Sequence, residues 1–293
     1  MIDDMNSYSL EAWKGKGQYY NWKGHQIFTI EAPHDKPTLL LIHGFPTASF
    51  DWHKIWDQLA EHYQLISLDL LGFGFSDKPN DIKYPIALQA DLIEALLESK
   101  GIDKIHLLAH DYGDTVAQEL MARYNEQTTV LNIQSVCLLN GGIFPEAHRA
   151  LLIQKLLMGP LGVVISRLLN KQKFAKSFGK IFGKDSQLSE EEMGEYWQLV
   201  SYKNGHRIAH LIAQYRRERI DHRTRWVEAL QNFNNPLRLI NGPDDPISGI
   251  QMVDRYKELI TDPRVDVLEG IGHYPQVEAP ELLLDLLIGE RIE

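Results

Sequence analysis

The 293-residue chain has a single cysteine, Cys137, which excludes an intrachain disulfide and predicts a reducing environment. It also lacks long apolar runs: one of the longest, residues 160–166, is far shorter than the ~20 residues that a membrane-spanning helix needs. The first residues carry neither a basic nor an apolar stretch, so they do not form a secretory signal. We therefore expect no integral membrane segment and a cytoplasmic location.

Positive charge is scarce as well. The chain has 30 Lys and Arg against 40 Asp and Glu, a formal charge of −10, which predicts a soluble protein and argues against nucleic acid or anionic lipid as partners. No phosphate-binding glycine loop is present, and Arg207 stands between His206 and His210 where a zinc protease would carry its glutamate. We expect neither a cofactor nor a metal.

Short apolar runs that alternate with helix-like segments dominate what is present. With 44% hydrophobic residues, the chain is long enough for one large α/β domain. Residues 18–22 and 26–31 predict an opening antiparallel hairpin. Six nearly continuous apolar runs, typical of central parallel strands, follow it at residues 38–42, 65–68, 104–109, 135–139, 237–241 and 265–268. The pattern predicts an α/β fold whose mostly parallel sheet is flanked by helices.

The alternation stops for about ninety residues between the fourth and fifth of these runs. Helix-like stretches with Gly and Pro breaks replace it, and Pro and Asn clusters near residues 143–145 and 232–236 mark its limits. We predict a core of residues 1–142 and 235–293, with a helical cap of residues 143–234 inserted between the two parts.

The segment Ala109-His-Asp-Tyr-Gly113 has the pattern of a nucleophile elbow, a sharp strand-to-helix turn that exposes its central side chain above a parallel sheet. That central residue is Asp111, where a serine or cysteine is usual. A carboxylate with a reference pKa of ~3.9 is ionised at pH 7, so it can attack without a base. Attack on a saturated carbon that bears a leaving group would give an alkyl ester on Asp111.

Two further polar residues follow the last two apolar runs. Asp245 lies in the turn 242–246, with Asp244 as its nearest competitor, and His273 lies in the loop 270–275. The order nucleophile, acid, histidine is that of an elbow-type active site, and ligands bind at the carboxyl ends of such strands. We expect Asp245 to orient His273, and His273 to activate the water that hydrolyses the ester on Asp111.

A fourth motif, His43-Gly-Phe-Pro46, follows the first apolar run. Backbone N–H groups of Phe45 and Tyr112 are expected to form an oxyanion hole there. The oxyanion in question is the carbonyl oxygen of Asp111 during ester hydrolysis.

With these motifs in order, and with residues 69–76 between them, nearly the whole chain resembles the α/β-hydrolase family. The aspartate nucleophile and the helical cap resemble the epoxide hydrolase and haloalkane dehalogenase branch. More narrowly, residues 110–114 with 116–119, and 140–146 with 152–157, are similar to the mesoderm-specific transcript protein group, which is regarded as epoxide-hydrolase-like. The resemblance implies an epoxide hydrolase that converts a small apolar or amphipathic substrate and water into a diol.

The resemblance leaves a second enzyme reading, haloalkane dehalogenation. Haloalkane dehalogenases typically have a tryptophan after the nucleophile, and many have an asparagine in the His-Gly-Asn-Pro motif. This chain has Tyr112 and Phe45 at these places, which favours the epoxide. A non-enzyme alternative is a ligand-binding or scaffold protein that has kept Asp245 and His273.

An epoxide hydrolase uses cap tyrosines to protonate the opening ring. The cap offers Tyr196, Tyr202 and Tyr215, of which Tyr215 is the favoured donor and Tyr202 the second candidate. The arginine-rich segment 216–225, which contains Tyr215's neighbours, also carries Glu218 and Asp221, so we expect local ion pairs. Contact with an anionic substrate or a membrane surface is the alternative there.

Overall fold

The computed structural model describes residues 8–289, and its strands join in one sheet with the order β1-β2-β4-β3-β5-β6-β7-β8 within that range. Strands β3 to β8 run parallel, while β2 pairs antiparallel with β4, and β1 pairs antiparallel with β2 at the edge of the sheet. The strands are β1 (Gln18–Trp22), β2 (His25–Ala32), β3 (Thr38–Ile42), β4 (Gln64–Leu68), β5 (Lys104–His110), β6 (Asn132–Leu139), β7 (Leu237–Asn241) and β8 (Arg264–Val267).

The predicted hairpin and all six predicted parallel strands are therefore confirmed. The largest difference in a boundary is at β6, which begins at Asn132, three residues before the apolar run at 135–139. The other strand boundaries agree with the predicted ones within one residue. Asn132 is exposed and Gln134 is half-buried, whereas Ile133 between them is buried. Buried and more exposed residues alternate at the start of this strand, where it leaves the core. A search for continuous apolar residues therefore misses its first three residues.

Helices cover both faces of the sheet. Successive side chains of β3 point to opposite faces, as the strand repeat requires, so that Leu40 and Ile42 pack into one apolar cluster and Leu39 and Leu41 into another. The core helices are α1 (Leu10–Lys16), α2 (Trp56–Ala60), α3 (Ile86–Ser99), α4 (Tyr112–Asn125), α12 (Ile250–Leu259), α13 (Pro275–Glu278) and α14 (Pro280–Gly289). A 3-10 helix spans Ser49–Trp52.

Between β6 and β7 the described chain is helical and carries no strand. Its helices are α5 (Leu152–Met158), α6 (Gly162–Arg167), α7 (Lys171–Phe178), α8 (Glu190–Ser201), α9 (Ala209–Ile212), α10 (Tyr215–Asp221) and α11 (Arg223–Gln231), with 3-10 helices at Gly179–Ile181 and Tyr202–Ile208. We call this segment, residues 143–234, the cap; its division from the core at these two residues stays a prediction.

The cap helices lie over the carboxyl ends of the strands, and α11 packs along α4. This arrangement brings cap side chains close to the residues that follow β3, β5, β7 and β8. In the range 8–289, no helix is both long and apolar enough to cross a membrane.

Candidate active site

Asp111 lies at the sharp turn between β5 and α4. Its backbone angles, φ +46° and ψ −101°, are rare for a residue with a side chain, as an elbow requires. Its N–H donates to the carbonyl oxygen of Leu139 at 3.2 Å, which fixes the turn against β6. A Cβ at Gly113 would lie 2.2 Å from the carbonyl oxygen of Ile42, so only glycine lets α4 start this close to β3.

His273 lies between two carboxylates. Its Nδ1 is 2.6 Å from Asp245 Oδ2, a short hydrogen bond, and its Nε2 is 3.9 Å from Asp111 Oδ2. The longer separation exceeds hydrogen-bond distance, so that contact is electrostatic and leaves Nε2 free to meet a third partner. All three side chains are at most 3% exposed. The structure thus brings together the three residues that were expected to act in sequence.

The carboxylate of Asp245 is held in one orientation. It accepts hydrogen bonds from the backbone N–H groups of Ile247 at 2.7 Å and Ser248 at 3.0 Å. Asn140, which follows β6, donates its Nδ2 to the same carboxylate at 3.1 Å. Asp244 forms no hydrogen bond or ion pair with His273 in the part of the chain that the structure describes, and its backbone N–H donates to the carbonyl oxygen of Ile271.

Charge interactions set the protonation of the cluster. Burial alone would raise the pKa of Asp111, but the neighbouring imidazole of His273 and the guanidinium of Arg219 hold it below its usual range. Burial alone would lower the pKa of His273, but the carboxylates of Asp245 and Asp111 outweigh burial and raise it to about 10. At pH 7 the resting cluster therefore contains an ionised Asp111 and a protonated His273.

Phe45 and Tyr112 lie where backbone donors can reach Asp111. The N–H of Phe45 donates to Asp111 Oδ2 at 3.2 Å. Tyr112 is the first residue of α4, and N–H groups in the first turn of a helix have no acceptor within that helix. The partial positive charge at a helix N-terminus also favours an anion at this point.

Tyr215 of α10 lies beside these donors. Its ring centroid is 4.9 Å from that of Tyr112 and 6.0 Å from that of Phe45. Its buried hydroxyl has no hydrogen-bond partner among residues 8–289. Burial, with Asp111 nearby, raises the pKa of Tyr215, so the hydroxyl keeps its proton.

Tyr202, the second predicted donor, does not join this group. Its ring packs against Phe75 at 5.2 Å between centroids, and the ammonium group of Lys14 lies 5.1 Å from the ring. Helix α8 ends at the residue before it, and Lys203 and Asn204 adopt left-handed backbone angles. The chain therefore turns at Tyr202 instead of carrying it toward Asp111.

Arg219 is a site residue that the sequence analysis did not identify. It is only 3% exposed, and its Nη2 donates to the backbone carbonyl of Asp111 at 2.9 Å and lies 3.5 Å from Asp111 Oδ1. Its Nε donates to Thr115 Oγ1 at 2.7 Å. Arg219 also stands four residues after Tyr215 on the same helix. That spacing places both side chains on one face of the helix. If Tyr215 faces the site, as predicted, Arg219 is therefore expected to face it as well.

The expected local ion pairs in segment 216–225 are wrong for most of its arginines. Arg223 pairs with Glu146, and Arg225 pairs with Glu119 and Glu126, all of which lie outside the segment. Helix α11 packs on α4, so Arg225 reaches Glu119 of α4 and Glu126 just after it. The contacts of Arg225 attach this end of the cap to the core, and the Arg223–Glu146 pair lies within the cap.

An apolar cavity of about 80 Å³ adjoins the cluster. Phe45 and His273 line it from the core. Ile153, Leu157 and Phe174 are among the cap residues that close it. Such a lining suits an apolar molecule more than a charged one.

A family model described as the alpha/beta hydrolase fold matches residues 37–280. The chain belongs to the α/β-hydrolase family. It is 40% identical over 292 residues to the mesoderm-specific transcript homolog protein of Bos taurus, with 96% of this chain and 87% of that protein covered. It is 36% identical over 288 residues to a Mycobacterium tuberculosis protein named as a hydrolase, LipZ, covering 97% of this chain and 100% of that one.

Among solved structures, the hydrolase is similar to haloalkane dehalogenase DbeA from Bradyrhizobium elkani, with a TM-score of 0.78 and 24% identity. The match covers 93% of this chain and 96% of that one, and at this identity it shows the fold alone. The predicted family, fold class and likeness to the mesoderm-specific transcript group are confirmed. Membership of a hydrolase family supports an enzyme that acts on a small molecule with water.

Proposed function

We propose that this α/β-hydrolase is an epoxide hydrolase that works through an alkyl ester on Asp111. The observation that carries the proposal is the setting of Asp111: an ionised carboxylate at an elbow, 3.9 Å from His273 Nε2, with the N–H of Phe45 on one oxygen. A carboxylate that remains ionised in a buried apolar site is poorly solvated, which makes it a competent nucleophile toward carbon.

In the first step an oxygen of Asp111 bonds to an epoxide carbon, and the bond from that carbon to the epoxide oxygen breaks. The departing alkoxide takes a proton from the hydroxyl of Tyr215. That hydroxyl is buried, without a partner, and close to Phe45 and Tyr112. It can therefore turn to the substrate without breaking an existing hydrogen bond.

Esterification then changes the pKa of His273. One of the two carboxylates that hold its proton becomes a neutral ester, so the pKa of His273 falls from about 10. Its proton returns to the tyrosinate of Tyr215, and the neutral imidazole can accept a proton from water. The epoxide thus gains its proton within the site, and no net proton is released.

In the second step water attacks the carbonyl carbon of the ester while His273 removes its proton. The oxyanion forms on the side-chain oxygen of Asp111, where the N–H groups of Phe45 and Tyr112 can receive it. The existing 3.2 Å hydrogen bond from Phe45 supports this role. Collapse of the intermediate breaks the bond between the carbonyl carbon and the ester oxygen that carries the substrate, and this oxygen takes the proton that remained on the added water. The diol is released, the carboxylate is restored, and His273 keeps the other water proton, as in the resting site.

The proposal is tested by intact-mass measurement of the His273→Phe variant after incubation with a panel of small apolar epoxides. Loss of the water-activating base should leave the ester in place, as an adduct with the full mass of the epoxide. The double variant His273→Phe, Asp111→Asn is the matched control and should gain no mass. An adduct that persists in the double variant would place the nucleophile elsewhere and overturn the proposal.

Haloalkane dehalogenation is a second candidate, and Arg219 is the observation that favours it. Its buried Nη1 has no hydrogen-bond partner among the described residues, so the cap offers an N–H donor that the side chains of Phe45 and Tyr112 lack. Incubation of the same variants with 1-haloalkanes separates the two readings. An alkyl adduct, without the halogen, would favour dehalogenation over epoxide opening.

A further inference from the structure

Helices α5 and α6 carry an exposed apolar face on the outside of the cap. Six large apolar side chains lie there, each 39% to 72% exposed: Leu152, Leu156, Leu161, Val163, Val164 and Leu168. They are more than half of the eleven large apolar side chains that are exposed in the range 8–289. Helical spacing groups Leu152 with Leu156, and Val164 with Leu161 and Leu168, and the two helices pack side by side.

The same segment of the cap carries unpaired positive charge. Residues 147–184 contain eight Lys and Arg and no Asp or Glu, in a chain that otherwise carries 22 basic and 40 acidic residues. All eight are exposed, and none forms an ion pair within the described part of the chain. They are Arg149, Lys155, Arg167, Lys171, Lys173, Lys176, Lys180 and Lys184.

The face lies directly above the cavity. Leu152 and Leu156 of α5 face outward, while Ile153 and Leu157 of the same helix line the apolar cavity beside His273. One helix therefore separates the cavity from the outside of the cap at this point.

We propose that this face, the outer surface of α5 and α6 together with the lysines and arginines of residues 147–184, docks the enzyme onto the surface of an anionic lipid bilayer. Apolar side chains that enter the headgroup boundary, flanked by Lys and Arg that meet lipid phosphates, are the combination by which amphipathic helices bind a membrane interface. A contiguous apolar patch of this kind on a protein surface marks an interaction site. A bilayer accounts for both the apolar side chains and the absence of acidic ones.

This inference revises the expectation drawn from total charge. The net charge of −10 argued against anionic lipid because it averages the whole chain. The residues outside 147–184 carry about −18 and those inside carry +8, so the two parts of the molecule respond oppositely to an anionic surface. The docking surface does not depend on which reaction Asp111 performs.

The test is co-sedimentation of the full chain with vesicles of phosphatidylcholine alone or of phosphatidylcholine and phosphatidylglycerol at 7:3. We expect binding to the anionic vesicles that weakens as salt rises. Each lysine near a membrane surface contributes about fivefold to binding, so the triple variant Lys171→Glu, Lys173→Glu, Lys176→Glu should bind at least about 100-fold more weakly. Val164→Asp with Leu168→Asp should weaken binding at least about tenfold by removing the apolar contact.

Matched controls change the same residue types elsewhere on the surface. Lys83→Glu, Lys104→Glu and Lys257→Glu together reverse three exposed lysines outside the cap, and Ile250→Asp with Leu282→Asp removes two exposed apolar side chains of the core. Both controls should keep anionic-vesicle binding within about threefold of the original chain. Circular dichroism would verify that every variant is folded.

Three results would overturn the proposal. One is a chain that does not bind anionic vesicles. Another is an equal loss of binding in the control and cap variants, which would mean that total charge alone decides. The third is a dimer, seen by light scattering, that Val164→Asp with Leu168→Asp converts to a monomer without changing vesicle binding, because the occupant would then be a second copy of the chain.

Discussion

The two ends of the cap are both rich in basic residues, yet they use them in opposite ways. On α10 and α11, Arg219 bonds to Asp111 and Arg225 bonds to Glu119 and Glu126 of the core, while Arg223 pairs with Glu146 within the cap. In residues 147–184, the eight basic side chains form no ion pair within residues 8–289, and the same segment carries the exposed apolar residues of α5 and α6. The first end is attached to the core and the second faces outward.

This difference teaches that the role of a basic side chain in the cap is determined by the group with which it pairs, and not by its charge alone. An arginine such as Arg219, which is buried against a carboxylate, lowers the pKa of that carboxylate and favours its ionised form. A lysine on the outer face has only solvent or a second surface to meet. In the proposed mechanism the attached end therefore governs reactivity, and the outer end is available for recognition.

The largest effect on activity is expected at Asp111, the residue that Arg219 of the attached end contacts. Asp111→Asn should lower turnover by more than about 1000-fold, because an amide is a far weaker nucleophile toward carbon. The measurement is kcat with the best epoxide of the panel. Asp114→Asn is the matched control, since Asp114 lies in the first turn of α4, the helix that Asp111 precedes, and burial with Asp111 nearby raises its pKa well above its usual range. Equal losses in the two variants would mean that damage to the elbow, and not loss of the nucleophile, explains both.

Arg219→Met should come next, with a fall of about 100-fold in the rate of ester formation, since a buried hydrogen bond to a charged group contributes about 1.5–3 kcal/mol. Single-turnover mass measurement in a His273→Phe background would give the rate. Arg217→Met is the control, because Arg217 is exposed and donates only to the carbonyl oxygen of Met158. If both variants behaved like the original chain, the attached end would not govern reactivity, and the contrast between the two ends would fail.

Tyr215→Phe should lower ester formation from epoxides by about 10- to 100-fold while leaving hydrolysis of a preformed ester almost unchanged. Tyr196→Phe provides a control with a hydroxyl that is equally buried and equally without a partner among the described residues. The two half-reactions can be separated by rapid quench. Loss of hydrolysis with normal ester formation in Tyr215→Phe would contradict the assigned role.

The pKa of His273 should fall by at least about one unit when Asp111 becomes neutral. In the original chain His273 is protonated below about pH 10 because its folded pKa is raised by two carboxylates. Asp111→Asn removes one of them and imitates the neutral ester, so the imidazole should lose its proton at lower pH. Titration of the ring nitrogens by NMR measures the shift. An unchanged pKa would mean that Asp245 alone holds the proton.

The smallest effect concerns stability and compares the two ends directly. Arg225→Met should lower the free energy of unfolding by about 1 kcal/mol, because Arg225 is partly exposed and pairs with Glu119 and Glu126 of the core. Lys176→Met should change it by less than about 0.5 kcal/mol, because Lys176 is exposed and has no ion-pair partner among residues 8–289. Urea unfolding of both variants tests this, and a larger loss in Lys176→Met would show that the outer end is also attached.

Much of the core could be predicted because its site residues follow strands. Asp111, Asp245 and His273 each come directly after an apolar run, and parallel strands carry such residues to one edge of the sheet. The elbow pattern around Asp111 is local, so a short segment identifies it. The residues of the core site were therefore recognisable without knowledge of how distant helices pack.

The cap was less predictable for the opposite reason. Arg219 reaches Asp111 across 108 positions of sequence, and its nearest acidic neighbours, Glu218 and Asp221, suggested a different partner. Tyr202 has a hydroxyl that could donate a proton. The left-handed residues that follow it turn the chain, and its ring packs against Phe75 instead of lying beside Asp111. Asn140 supports Asp245 from the end of β6, and no sequence pattern marks that contact.

His110, the residue before the nucleophile, donates from Nε2 to the backbone carbonyl of His273 at 2.7 Å. This hydrogen bond joins the elbow at Asp111 to the loop that carries His273. Both belong to the core, so the connection does not depend on the cap. Opening of the cap would separate Arg219 and Tyr215 from Asp111 but leave Asp111 and His273 in register. Closure of the cap would then return the charge of Arg219 and the proton donor of Tyr215 to a core site that is already assembled.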